Sequence, residues 1–273
     1  MAAVTLLSTR GLSRHFGGLR AVDDVSFTLA QGEVRAIIGP NGAGKSTFVG
    51  LISGRIAPTA GRIVFEGRDI THLPAHRRVG LGIAYTFQIT SIYGNLAVFE
   101  NVALAAQSAM GRGNGVRPLA STAVALDGAS GARGLTPSSA GARGPTPASE
   151  LERRVGDALS RVGLAERQAV RASTLAYGYQ RLLEVAMGLA LSPKLLILDE
   201  PTQGLSDAEI AGFCDLIRAV AGQATVLLIE HNVDVVMQLA QRITVMSNGA
   251  ILAEGTPAEI CANPAVQRAY LGT

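Results

Sequence analysis

Residues Gly39-Pro40-Asn41-Gly42-Ala43-Gly44-Lys45-Ser46 have the spacing G-x-x-x-x-G-K-[ST]. Glycines at these positions let the backbone curl closely enough to aim several N–H groups at one phosphate. A helix starting behind the loop adds orphan N–H groups and a partial positive charge. Lys45 supplies a full charge suited to β- and γ-phosphates, and the Ser46 hydroxyl suits Mg2+. Far downstream, the apolar run Leu195–Leu198 ends in Asp199 and Glu200. Such a strand can deliver the first carboxylate to a metal ion and the second to an attacking water as general base. The chain holds 32 glycines, so the loop could be a chance match in a turn, and the two acids before Pro201 could be a helix N-terminal charge pair. The strand-loop-helix setting of the first motif and the position of the second behind it favour a nucleotide site.

The elements that must position these groups are legible in the periodicity. Val25, Phe27 and Leu29 alternate with polar residues as in a half-buried strand, Gln31-Gly32 makes a turn, and Val34–Ile38 runs apolar into the loop. A helix is expected from Lys45 to about Ser53, ended by Gly54. Val98, Val102, Ala105, Ala106 and Ala109 fall on one helical face, and Ala224–Ile229 has the β-branched character of a buried parallel strand. Strands alternating with helices argue for an α/β core. Residues 108–149 differ: they are dominated by Gly, Ala, Ser, Thr and Pro and repeat GARGLTPSS (131–139) as GARGPTPAS (141–149). So little apolar surface cannot offset ordering entropy, and the segment reads as a mobile insertion.

Composition narrows the function. With 273 residues and 48% apolar content the chain can bury a substantial core. A balance of 24 basic against 21 acidic residues gives +3, too mild to argue for nucleic acid. Cys214 and Cys261 have no metal-ligand spacing and fall in expected helices, so buried free thiols in a reducing compartment are the default. No signal peptide is visible. A membrane helix needs roughly 20 apolar residues; Leu182–Leu191 and Ala219–Ile229 are shorter and contain Glu184 and Gln223.

The segment Leu175-Ala176-Tyr177-Gly178-Tyr179-Gln180 precedes a helix-like run that leads into Leu195–Glu200. In this order and spacing the motifs resemble the nucleotide-binding subunit of an ATP-binding-cassette (ABC) transporter. The resemblance implies one α/β nucleotide-binding domain over 1–273: a RecA-like mixed-sheet core, an N-terminal antiparallel β subdomain, and a helical signature subdomain over 88–180. Residues 255–273 would form a C-terminal tail. ATP would contact Phe16, Val22, the loop from Gly39 to Ser46, Thr47 and Gln88. Phe16 suits adenine stacking because a flat π-face matches a purine, though a core aromatic remains an alternative. Ser46, Gln88 and Asp199 would hold Mg2+; Lys45, Glu200 and His231 would be catalytic, with His231 the switch histidine that orients the water. Ala176, Tyr177, Gly178 and Tyr179 would face ATP held by a partner subunit. They depart from the usual Leu-Ser-Gly-Gly-Gln: Ala176 lacks a hydroxyl and Tyr177 replaces a small residue. Leu182 and Met187 are apolar where many relatives carry arginine, and Ser206 stands where aspartate is commoner.

Several stretches look like one subgroup, the ATP-binding subunits of branched-chain amino-acid importers: Phe16-Gly17-Gly18-Leu19, Phe87-Gln88-Ile89-Thr90, Val98-Phe99-Glu100-Asn101, Gly255-Thr256-Pro257 and Asn263-Pro264. That likeness implies a second, distinct cassette as partner, two membrane permease subunits, an extracytoplasmic solute-binding protein acting indirectly, and a peripheral place on the cytoplasmic face of the inner membrane. Urea, amide and lipid transporters have similar subunits. Two other readings stay open: a soluble ABC ATPase of ribosomes or DNA repair, and a cassette that binds ATP only to complete a dimer.

Overall fold

The computed structural model describes residues 4–86, 91–110 and 147–271. Strands β1 (Thr5–Phe16) and β2 (Leu19–Ala30) pair antiparallel across Gly17-Gly18, with Phe16 opposite Leu19. The short β3 (Val34–Ile38) enters the glycine loop, and α1 (Lys45–Ser53) leaves it. Gly54 stops α1 by donating its N–H to the carbonyls of Gly50 and Leu51. Next come β4 (Ala60–Phe65), β5 (Arg68–Asp69), α2 (Ala75–Leu81), β6 (Ile83–Tyr85), α3 (Val98–Met110), α4 (Pro147–Arg161) and α5 (Tyr177–Ala190). The remaining elements are β7 (Leu195–Asp199), α6 (Asp207–Ala221), β8 (Thr225–Ile229), α7 (Val233–Leu239), β9 (Arg242–Ser247), β10 (Ala250–Gly255), α8 (Pro257–Cys261) and α9 (Pro264–Leu271).

Two sheets result. One is antiparallel with order β2-β1-β4-β5; the other has order β10-β9-β3-β8-β7-β6 and is parallel except for β10. The period of two along each parallel strand divides its side chains between two cores. Leu196, Leu198, Val226 and Leu228 face the helical layer of α3–α6. Leu195, Ile197, Leu227 and Ile229 face α1 and the antiparallel sheet. Asp199 continues the odd-numbered face of β7 and so emerges on the same side as α1.

Helix α3 runs to Met110 and α4 begins at Pro147, so the ends of the expected insertion are helical, while 111–146 lie outside the described residues. Val98, Val102 and Ala106 are buried as the periodicity predicts, and Asn101 joins them because its side chain bonds the backbone of Tyr93 and Ala97. The cysteine expectation needs correcting in half: Cys214 is buried in α6, but Cys261 is exposed. It ends the five-residue α8 and keeps a solvent-facing side, with its sulfur 3.9 Å from Met237 Sδ. Among the described residues, no helix is long and apolar enough to cross a membrane.

Candidate functional site

The phosphate-type loop is threaded through a gap that only glycine fits. A Cβ on Gly39 (φ 152°) would lie 2.2 Å from the Met246 carbonyl oxygen, and one on Gly44 (φ 98°) would lie 2.2 Å from the carbonyl oxygen of Ala21. Gly44 is also the residue from which α1 starts, so its left-handed backbone turns the loop into the helix. Lys45 is buried and donates to the carbonyls of Gly39 (2.7 Å) and Pro40 (3.0 Å). Desolvation pulls its pKa down, against the attraction of Glu200 and Asp199, which holds the proton on. Ser46 is exposed at the first turn of α1, Thr47 half-buried beside it, and Asn41 and Gly42 face solvent.

Strand β7 brings Asp199 to this loop. Its Oδ2 accepts a hydrogen bond from Tyr85 Oη at 2.6 Å, while Oδ1 is buried with no hydrogen-bond partner among the described residues. Burial raises the Asp199 pKa, so the carboxylate gains from a cation beside it. An orphaned carboxylate oxygen at the end of β7 and an exposed serine hydroxyl at the start of α1 are donors that suit a hard, oxygen-seeking divalent ion taking its other ligands from phosphate and water. Among the described residues, no cluster of three His, Cys, Asp or Glu could hold a metal by itself.

Glu200 sits at φ 48°, in the left-handed region that a non-glycine residue occupies at a cost of about 1–3 kcal/mol. Its N–H still donates to Ile229 O at 2.9 Å. The turn directs the side chain across to the next strand, where Glu200 Oε1 lies 2.8 Å from His231 Nε2. Glu230 locks that pairing. Buried, it accepts from the Thr202 N–H (3.0 Å) and hydroxyl on one oxygen, and from the N–H groups of His231 (2.8 Å) and Asn232 (3.1 Å) on the other. The sequence analysis assigned no role to Glu230 or Tyr85. Adjacency to His231 is the one signal the first had; the second had only its place three residues before Gln88, because its partner is 114 residues away.

Phe16 is 45% exposed at the β1–β2 hairpin with the Arg14 guanidinium 4.4 Å from its ring centre, so it is no core aromatic. Val22 is fully buried in the core under the antiparallel sheet, so the expected nucleotide contact by its side chain is not available; its role is packing. Gln88 lies outside the described residues, together with Phe87, Ile89 and Thr90.

The Leu175–Gln180 segment forms the start of α5, apart from the loop. Ala176 is its N-cap and offers no side-chain acceptor to the first N–H groups. Tyr177 is exposed and lies against Gly204, where an added Cβ would come within 2.9 Å of the ring. Gly178 is buried beneath Glu209, whose Oε1 would lie 2.2 Å from an added Cβ. Glu209 forms a capping box with Ser206 at the start of α6, which serine performs as well as aspartate. Tyr179 carries the Arg167 guanidinium over its ring at 4.4 Å. Leu182 and Met187 pack against the main core, which accounts for their apolar character. Arg181 and Glu184 form a buried ion pair at 3.0 Å, and Glu184 accepts from the Ser91 N–H, tying α5 to the segment that follows Gln88.

An apolar cavity of about 330 Å³ lies between α7 and the α8–α9 tail rather than at the glycine loop; it reaches the chemistry only through His231 and Glu230 in its wall.

Residues 22–203 match the family model of the ABC transporter, and 250–273 match that of the branched-chain amino acid ATP-binding cassette transporter. The chain is 38% identical over 271 residues to the high-affinity branched-chain amino acid transport ATP-binding protein LivG of Escherichia coli, covering 98% of each. It is 36% identical to BraF, of the same description, from Pseudomonas aeruginosa, again covering 98% of each. The crystal structure of the ADP conformation of MJ1267, an ATP-binding cassette of an ABC transporter, superposes with a TM-score of 0.78 at 27% identity, over 99% of this chain and 100% of that one. A glycine loop on α1, a paired Asp199-Glu200 and a full-length likeness thus converge: the chain belongs to the ABC transporter family, as an ATP-binding subunit of the branched-chain amino acid importer type.

Proposed function

We propose that the chain is the ATP-hydrolysing motor of an importer for branched-chain amino acids or related small solutes. The observation that carries the reading is the Glu200–His231 pair at 2.8 Å beside the Lys45 loop. Glu200 takes the proton of the attacking water as general base, and His231 fixes the position of that water and of the γ-phosphate. The backbone N–H groups from Gly42 to Thr47 and the Lys45 ammonium stabilise charge on the transferred phosphoryl group, and Phe16 stacks on adenine. Ser46, Asp199 and Gln88 hold Mg2+, which when bound neutralises charge on the β- and γ-phosphates.

The Ala176–Tyr179 turn, exposed at Ala176 and Tyr177, completes the ATP site of a second, distinct cassette, so that ATP closes the dimer and hydrolysis reopens it. Closure passes through the Gln88 region to two permease subunits on the cytoplasmic face of the inner membrane, while an extracytoplasmic binding protein delivers the solute. The solute class rests on the full-length likeness to LivG and BraF and on the tail at 250–273.

The test is ATP hydrolysis by the chain reconstituted with its partner cassette and permeases, with and without Glu200→Gln. Support is a strong loss in the variant together with stimulation of the wild type by binding protein loaded with a branched-chain amino acid. A low rate untouched by Glu200→Gln would make the subunit structural and move hydrolysis to its partner. Stimulation by a different solute alone would overturn the substrate class and keep the motor.

A further inference from the structure

Strand β6 forms the edge of the parallel sheet, and its last residue, Tyr85, stands opposite Ile197 on β7, two positions before Asp199. A tyrosine there is long enough to reach the carboxylate at the strand end, and it does: Oη lies 2.6 Å from Asp199 Oδ2. That length belongs to a hydroxyl donating to a charged oxygen, about twice as strong as a neutral pair. The ring is fixed on both sides. It packs at the margin of the core beneath α1, and the Arg55 guanidinium, just beyond α1, lies 4.8 Å from its centre. The other carboxylate oxygen, Oδ1, is buried and has no hydrogen-bond partner among the described residues.

A carboxylate held only by its Cβ can turn about its last torsion and offer a cation either oxygen or both. With Oδ2 taken by a hydroxyl that cannot follow the rotation, the plane is fixed and one oxygen remains. We propose that Tyr85 is a positioning residue for divalent-metal binding, occupying Asp199 Oδ2 so that Oδ1 alone is presented to the ion. The proposal rests on the reading of Asp199 as a metal ligand. It assigns a task to a residue that opens the Tyr85-Thr86-Phe87-Gln88 stretch and had none of its own, acting from the neighbouring strand. Outer partners of this kind are worth roughly 10–100-fold in metal affinity.

The test uses the purified full-length chain and a fluorescent ATP analogue, titrated with MgCl2 and, separately, in EDTA. Tyr85→Phe keeps the ring and its stacking and removes the hydroxyl. The half-saturating Mg2+ for tightening nucleotide binding should rise about 10-fold or more, with affinity in EDTA unchanged. In an Asp199→Asn background the same substitution should add nothing, since Tyr85 acts through Asp199. Arg55→Met, which removes the cation that lies over the ring and hydrogen-bonds the hydroxyl, and so frees Tyr85 to turn, should shift Mg2+ dependence in the same direction by less, and it serves should Tyr85→Phe not fold. Three results overturn the proposal: unchanged Mg2+ dependence in Tyr85→Phe, an equal loss of affinity in EDTA, or a shift that persists in Asp199→Asn. If wild-type binding itself ignores Mg2+, the metal reading of Asp199 falls and the Tyr85 proposal with it.

Discussion

The loop at Gly39–Ser46 and the turn at Ala176–Tyr179 both start helices, yet they are built on opposite terms. The first is enclosed by backbone: carbonyls of Met246 and Ala21 crowd Gly39 and Gly44, and Lys45 is buried within the curl. Asp199, Glu200 and His231 are delivered to it by adjacent parallel strands whose spacing the sheet fixes. The second turn is enclosed by side chains. Tyr177 rests on Gly204, and Gly178 lies under the movable end of Glu209. A phosphate site that must work in one geometry is set in the sheet, whereas the turn keeps a surface that neighbouring side chains can reshape. That contrast explains why the loop conforms to its family pattern while the turn departs from it.

The contrast can be pressed experimentally. Glu200→Gln should lower ATP hydrolysis by about 10²–10⁴-fold while leaving nucleotide binding intact, read by steady-state assay beside a binding titration. Retained hydrolysis would mean that the strained φ 48° at this residue serves something other than the water. Gly44→Ala sets a Cβ against backbone at a left-handed position and should cost about 3 kcal/mol of stability, measured by denaturant unfolding, and abolish nucleotide binding. Glu230→Gln replaces an acceptor of the His231 and Asn232 N–H groups with a group able to donate. It should cost about 2 kcal/mol and slow hydrolysis without changing nucleotide affinity. Gly178→Ala meets a side chain, the Glu209 carboxylate, which can give way by leaving its capping box with Ser206, so about 1 kcal/mol is expected. That cost should be non-additive with Glu209→Ala. A Gly178→Ala cost as large as that of Gly44→Ala would erase the distinction between the two turns.

What could be read from the sequence was what is local in the chain. The span of α1, the entry of β3 into the loop and the Asp199-Glu200 end of β7 follow from spacings of a few residues, and the structure holds them where the periodicity put them. What escaped depends on sheet order. Nothing in the alternation of Ile83–Tyr85 says that this strand lies beside β7, so the Tyr85–Asp199 bond across 114 residues was invisible. Glu184 and Ser91 meet across 93 residues for a similar reason: helix packing, with no local signal. Val22 was misjudged because proximity in sequence to a nucleotide-contacting motif does not say which face of β2 a residue occupies. Cys261 was misjudged because a helix at the periphery buries only part of its circumference.

The Glu230 carboxylate has a dynamic consequence. It ties the turn after β7, through Thr202, to the turn after β8, through His231 and Asn232. Neither turn can open without breaking bonds to the same side chain, so the two should behave as one cooperative unit of local unfolding. In native-state hydrogen exchange the amides of Thr202, His231 and Asn232 would then exchange together, with one opening free energy, although 28 residues of sequence separate Thr202 from Glu230. The water-activating and phosphate-sensing segments would share one clock.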